Sequence, residues 1–463
     1  MPAPHDVEVP AHSIARLGRL VGPQRFAALE EAARATIGSL DGATVWNISS
    51  TAHGGGVAEM VGLLCGYARD AGADARWVVI DADAEFFVIT KRLHNRLHGA
   101  AGDAGDLGPR EAAHYSSVLR ANRDALDGRI HRDDIVFLHD PQTAGLARHL
   151  IEYGVRVAWR CHVGADRANA QTEEAWAFLA PYLAECHTFI FSHAAFVPPF
   201  LAGKDVWIIE PSIDPLAAKN RPLPRARVMS LLEGIGLLSG PGNSHSPAVV
   251  GTLAPFAPDD PLVVQVSRWD RLKDMAGVMR GFADHVAGRD DVRLALVGPA
   301  VEAVEDDPEG DRVLAECIDL WSSLPARAHN VIRLVCLPMA DPVANALMVN
   351  AVQRHASVVV QKSLQEGFGL TVTEAMWKSR PVVVSAVGGI VDQVPPGTGV
   401  LLEDPLDLDA FGARLATVLA DPPGRAAMGR RARRHVRQHF LSDRHLIDYA
   451  RVLAHMTGPE VDF

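Results

Sequence analysis

Gln365-Glu366-Gly367-Phe368-Gly369-Leu370-Thr371-Val372-Thr373-Glu374-Ala375 lies between two valine-rich runs, at 357–361 and 381–385. Short β-branched runs of this kind read as strands of a sheet buried on both faces. A helix is predicted to begin near Leu370, so the stretch is the loop of a strand–loop–helix–strand unit. Gly367 and Gly369 allow positive φ and close approach of the backbone to a ligand. The free N–H groups and positive dipole end of a helix starting at Leu370 and Thr371 make an anion site suited to a diphosphate. Two carboxylates flank that site with seven residues between them, Glu366 in the loop and Glu374 in the helix's first turns. Beside a phosphate a carboxylate is costly unless it serves something neutral, and sugar hydroxyls can donate to it.

The same unit recurs on either side. In the second half, strands at 262–267, 292–298, 331–337, 357–361 and 381–385 alternate with helices at 274–287, 312–323, 341–355 and 371–379. In the first half, strands at 44–49, 76–81, 134–139, 156–162, 188–192 and 206–210 surround helices at 57–71, 110–126 and 172–186. Between the halves, 220–251 is rich in proline and glycine around one helical stretch at 225–235, which reads as a connection between domains. Helices at about 408–419, 425–440 and 442–457 finish the pattern. A chain of 463 residues exceeds one compact core. The expected class is α/β, with two doubly wound Rossmann-like domains facing each other across a cleft. Ligands in such sheets sit at the carboxyl ends of the strands.

Three further groups fall at those ends. In Val266-Ser267-Arg268-Trp269-Asp270-Arg271-Leu272-Lys273-Asp274, Arg268 leaves a strand and Lys273 opens the next helix. Two cations there can hold a diphosphate and neutralise charge as it departs, although an ordinary loop ion pair would read the same way. Ser49-Ser50-Thr51-Ala52-His53-Gly54-Gly55-Gly56-Val57-Ala58-Glu59 carries three glycines after the first strand. It fits neither the Walker pattern nor GxGxxG. That weakens an NAD-linked oxidoreductase, the rival reading, although Asp81 and Asp83 end the second strand where a ribose-binding acid would lie. His139-Asp140 and Cys161-His162-Val163-Gly164 each end a first-half strand, where a histidine reaches a bound sugar or serves as a satisfied structural group.

A formal charge of −11 disfavours a nucleic-acid partner. The one basic run, 424–440 with six arginines, is too polar to bury a lipid-facing stripe and reads as a solvated helix face. No apolar stretch of about 20 residues is present, and the N-terminus lacks the pattern of a signal peptide. Five scattered cysteines without a CxxC pair argue against zinc or a disulfide framework and fit a reducing cytoplasm.

Together the motifs resemble the retaining glycosyltransferases of family four, which have the two-Rossmann GT-B fold. Glu366…Glu374, the Arg268/Lys273 pair and the glycine loop 54–56 occur in that family's order. The first half is similar to the trehalose glycosyltransferring synthases and the related retaining trehalose phosphorylases. Val45-Trp46-Asn47, the segments 50–60 and 86–99, His139-Asp140-Pro141-Gln142 and Arg160-Cys161-His162 carry that likeness. The resemblance implies a first domain of 1–218, completed by a helix at about 441–463, and a donor domain of 219–440. It implies that Glu366 contacts the donor sugar, Glu374 the nucleotide ribose, Arg268 and Lys273 the diphosphate, and that His162 lies beside the transferred glucose. Gly55, Gly56, Gly367, Phe368, Gly369, Leu370 and Thr371 would line the donor, and Asn47, His139, Asp140 and Arg160 the acceptor.

The implied reaction is retaining transfer of glucose from a nucleoside diphosphate glucose to glucose or a related small acceptor, giving trehalose. A phosphorylase is the alternative within the class; an oxidoreductase or a non-catalytic sugar-nucleotide binder lies outside it. The nucleotide sugar is then a co-substrate, with no tightly bound cofactor and no obligatory metal. Asp81-Ala82-Asp83 nevertheless looks like the metal-binding DxD of the other large glycosyltransferase architecture. The expected partners are small sugars, with no nucleic acid and no membrane span, and a homodimer is left open.

Overall fold

The computed structural model describes residues 4–52, 55–240, 248–251, 253–289, 291–300 and 309–458. The chain divides into two compact units, 1–212 with 441–463, and 213–440. The first crossing therefore falls at 212–213, against 218–219 in the sequence reading.

The first unit is built on β1 (His5–Asp6), β2 (Val45–Ser49), β3 (Ala75–Val79), β4 (Ile135–His139), β5 (Arg156–Cys161), β6 (Thr188–Phe191) and β7 (Asp205–Ile208). Their order across the sheet is β1-β3-β2-β4-β5-β6-β7. All neighbours are parallel except β1, which runs antiparallel to β3. Strands β2 and β4 are buried along their whole length, as expected of strands covered on both faces. From β2 the chain moves one way to β3 and the other way to β4. The carboxyl ends of β2 and β4 thus frame the point where strand order reverses, the usual ligand position in such sheets.

The helix Ser442–Thr457 belongs to this unit. Leu446, Tyr449, Val452, Leu453 and Met456 form one helical face and join the apolar cluster of Val45, Cys65, Trp77 and Phe137. Arg25, on the helix Pro23–Leu40, clasps Asp443 with two bonds of 2.6 Å.

The second unit carries β8 (Leu262–Val266), β9 (Arg293–Pro299), β10 (Ile332–Leu337), β11 (Val358–Gln361), β12 (Val382–Ser385) and β13 (Val400–Leu402). The order is β10-β9-β8-β11-β12-β13, with every neighbouring pair parallel. In this sheet the reversal lies between β8 and β11. The loops leaving those two strands carry Arg268 with Lys273 and Glu366 with Gly369. Each unit is a Rossmann-like doubly wound sheet.

Candidate active site

In the second unit the loop after β11 turns into the helix Leu370–Trp377 at Gly369, whose φ of 81° suits glycine and admits few other residues. A second glycine, Gly388 after β12, packs so tightly that a Cβ there would lie 1.8 Å from the Glu366 carbonyl oxygen. Gly389 N–H donates to the Gly367 carbonyl at 3.1 Å, and Gln393 donates to the Phe368 carbonyl. The Phe368 ring sits 5.7 Å from that of Phe440. The loop is thus held from below by the segment after β12.

The Glu366 carboxylate accepts from Lys273 Nζ at 2.7 Å and from Ser363 Oγ at 3.1 Å. Gln265 on β8 ties the two loops together: its amide donates to the Lys273 carbonyl at 2.7 Å and its oxygen accepts Lys362 N–H at 3.0 Å. Lys362 is fully buried and ion-pairs with Asp274, which caps the helix Met275–His285 through Gly277 N–H at 3.0 Å. Arg268 leaves the same β8 loop, 4.0 Å from Asp270. Thr371 Oγ1 donates to the Gln361 side chain at 3.0 Å. Leu370 is the helix's first residue.

Glu374 is 2% exposed, with Lys219 Nζ 3.6 Å away. Lys378, also buried, bonds the Glu374 carbonyl at 3.1 Å and the Gln353 side chain at 2.7 Å. Glu366 and Glu374 therefore occupy separate polar settings, each with its own lysine.

In the first unit all five sequence-flagged polar residues join one hydrogen-bonded chain. His139 Nε2 lies 3.0 Å from Asn47 Oδ1, and its Nδ1 lies 3.4 Å from His162 Nε2, the two rings nearly parallel at 12°. Arg160 Nε donates to His162 Nδ1 at 3.4 Å. Asp140, held at a φ of 63°, accepts the His162 backbone N–H at 2.7 Å. Burial depresses the His139 imidazole to about 3, with the Arg160 charge adding to it. His162 is pushed well below the ordinary range by burial, then by Arg160, His139 and His445. Burial raises the Asp140 carboxyl to about 7 against the pull of His162 N–H and Arg160. Burial and the Arg160 guanidinium thus both favour neutral imidazoles here.

Gly55 caps the helix Gly56–Ala71, and a Cβ at Gly55 would meet nothing within 4 Å. His53 and Gly54 lie outside the described residues. Asp83 is a helix cap, accepting Phe86 N–H at 2.8 Å and pairing with His114 at 2.9 Å; Asp81 N–H bonds Asn122 at 2.8 Å. With that carboxylate so engaged, and with Lys273 and Arg268 expected to meet the diphosphate's charge, chelators are expected to leave activity nearly unchanged. Complete loss in EDTA, restored by magnesium or manganese, would return Asp81 and Asp83 to a metal role. Among the described residues no helix is long and apolar enough to cross a membrane.

Lys219, Gln265, Lys362, Gly388 and Tyr449 were not marked by the sequence reading. Lysine closing the run Val358-Val359-Val360-Gln361 and the Gly388-Gly389 pair after a strand were signals available for two of them.

Residues 47–198 match the family model "Trehalose synthase, N-terminal domain" and 342–435 match "Glycosyl transferases group 1". A trehalose synthase of Rubrobacter xylanophilus is 34% identical over 453 residues, covering 97% of this chain and 98% of that one. The chain belongs to the trehalose synthase family. It is, accordingly, a glycosyltransferase. A trehalose phosphorylase of Pleurotus pulmonarius is 26% identical over 84% of this trehalose synthase family member but only 54% of its own length. Among solved structures, the UDP-forming α,α-trehalose-phosphate synthase of Burkholderia xenovorans, in complex with glucose-6-phosphate, has a TM-score of 0.68 at 15% identity. The likeness covers 89% of this chain and 100% of that one, and the shared fold is GT-B.

Proposed function

We propose that this chain transfers glucose, with retention of anomeric configuration, from a nucleoside diphosphate glucose to glucose, forming trehalose. The observation that carries the reading is the end-to-end likeness to a trehalose synthase, which leaves no part of either chain unmatched beyond a few per cent. The geometry supports it. Lys273, Arg268 and the start of the helix Leu370–Trp377 supply positive charge for a departing diphosphate. Glu366, already hydrogen-bonded to Lys273 and Ser363, offers its carboxylate to sugar hydroxyls. His162 and His139 would face the transferred glucose, with Asn47, Asp140 and Arg160 arranging the acceptor side.

Among the described residues no carboxylate is placed as a covalent nucleophile, so the double-displacement route of retaining glycosidases is set aside. Attack proceeds on the front face instead. The acceptor hydroxyl bonds to the anomeric carbon as the bond to the leaving phosphate oxygen breaks, and that oxygen takes the hydroxyl proton. Lys273 and Arg268 stabilise the charge left on the diphosphate. Neutral imidazoles suit this step, because they add no charge to the sugar side.

Phosphorolysis is the second reading, favoured by the partial match to a phosphorylase. Phosphate alone needs only the anion site, whereas a nucleotide needs its ribose recognised, the part that falls to Glu374. Losing a charge-assisted bond to a ribose hydroxyl costs roughly 1.5–3 kcal/mol, so Glu374→Ala raises the donor KM about 10- to 150-fold. The acceptor KM changes far less; an equal rise in both would sink the assignment. Trehalose with a nucleoside diphosphate should regenerate nucleotide sugar, and trehalose with phosphate should yield no glucose 1-phosphate. Glucose 1-phosphate as the main product overturns the synthase reading.

A further inference from the structure

A guanidinium has no acceptor, so every hydrogen bond of Arg160 runs outward from it. Its Nε–H goes to His162 Nδ1, which leaves that nitrogen bare and puts the ring proton on Nε2. His162 Nε2–H then donates to His139 Nδ1, His139 Nε2–H to Asn47 Oδ1, and the Asn47 amide to Cys65 Sγ at 3.4 Å. The reverse polarity fails: His162 would have to accept at both nitrogens, and a neutral imidazole accepts at one.

The other Arg160 bonds hold the guanidinium itself. One goes to the Ile209 carbonyl at 3.0 Å and one to Tyr449 Oη at 2.7 Å, with the guanidinium carbon 5.2 Å from the Tyr449 ring centre. Tyr449 stands on Ser442–Thr457, 289 positions along the chain from Arg160.

We infer that Tyr449 is a positioning residue: it sets Arg160, which locks His162 as the Nε2–H tautomer and so fixes the direction of the hydrogen-bond chain through His139 to Asn47. The inference rests on the proposed placement of that chain, His162 included, beside the bound sugars. Arg160, His139 and His445 face the ring, and Asp140 holds its backbone N–H. All three facing groups oppose a second proton on the ring, as its burial does.

The test is histidine-selective ¹⁵N NMR with kinetics, on wild type and Tyr449→Phe, with His162→Gln to assign the signal. Tyr449→Phe keeps the ring over the guanidinium and removes only the acceptor. The wild type should show His162 with Nδ1 bare and Nε2 protonated. In the variant that signal should shift toward a tautomer mixture, with kcat down about tenfold or more and donor KM nearly unchanged. A wild-type proton on Nδ1 overturns the inference, and needs no folded variant. An unaltered His162 signal in Tyr449→Phe overturns it too. The expected spectra with an undiminished kcat support the positioning and overturn, instead, the placement of His162 at the sugar.

Discussion

Replacing Lys273 with alanine lowers kcat by about 100- to 1,000-fold, the loss that follows removal of one pre-aimed donor from a developing anion. Lys273 is held on Glu366 at 2.7 Å by a carboxylate that Ser363 also grips, so its ammonium is placed before the donor arrives. Glu366→Ala should remove most turnover as well, by a different route, if its carboxylate serves the sugar as proposed. Calorimetry with free nucleoside diphosphate separates the two. Affinity falls in Lys273→Ala and holds in Glu366→Ala; equal losses would refute the division of labour.

Acid is expected to destabilise the first unit steeply. His139, His162 and His445 are all buried with folded pKa values below the ordinary imidazole range, His139 at about 3. The unfolded chain therefore takes up protons that the folded one refuses. Their contribution is complete above about pH 6.5 and is lost as pH falls below it. Asp140 works the other way: raised to about 7, it binds a proton in the folded state that the unfolded chain releases above about pH 4. Three imidazoles that resist protonation outweigh one carboxyl that keeps its proton. Between about pH 4 and 6 stability should therefore fall on acidification. Hydrogen exchange at β4 and β5, followed from pH 7 to 5, measures this within the unit itself. Asp140→Asn should steepen the dependence and His445→Gln should flatten it. A flat profile in the wild type would count against three depressed imidazoles.

The eleven strands expected from short β-branched runs all occur, with no end displaced by more than two residues. β1 and β13 escaped because two and three residues are too few to show any period. The polar groups of the site were legible wherever they stood at a strand end, since strand ends and loops can be placed from local pattern alone. Their partners were not. Gln265 meets Lys362 across 97 positions and Arg160 meets Tyr449 across 289, and no local spacing encodes a contact of that reach. Glu374 shows the same limit from another side. Its place in the helix was readable, but its burial and its neighbour Lys219 depend on how the proline-rich connection returns to the sheet.

The helix Ser442–Thr457 also sets an order of events at the ribosome. The unit 213–440 is one uninterrupted stretch and can close while synthesis continues. The unit begun earlier cannot, because Tyr449, Val452 and Leu446 cover one face of its sheet and complete the shell around Arg160. Roughly 245 residues separate Ser212 from Thr457, which at about 5–20 residues per second is on the order of 12–50 seconds. For that interval the nascent protein carries an uncovered apolar face and a stranded guanidinium beside a finished neighbour. Holdase chaperones should therefore engage the first half of the chain and release it only when the last helix emerges.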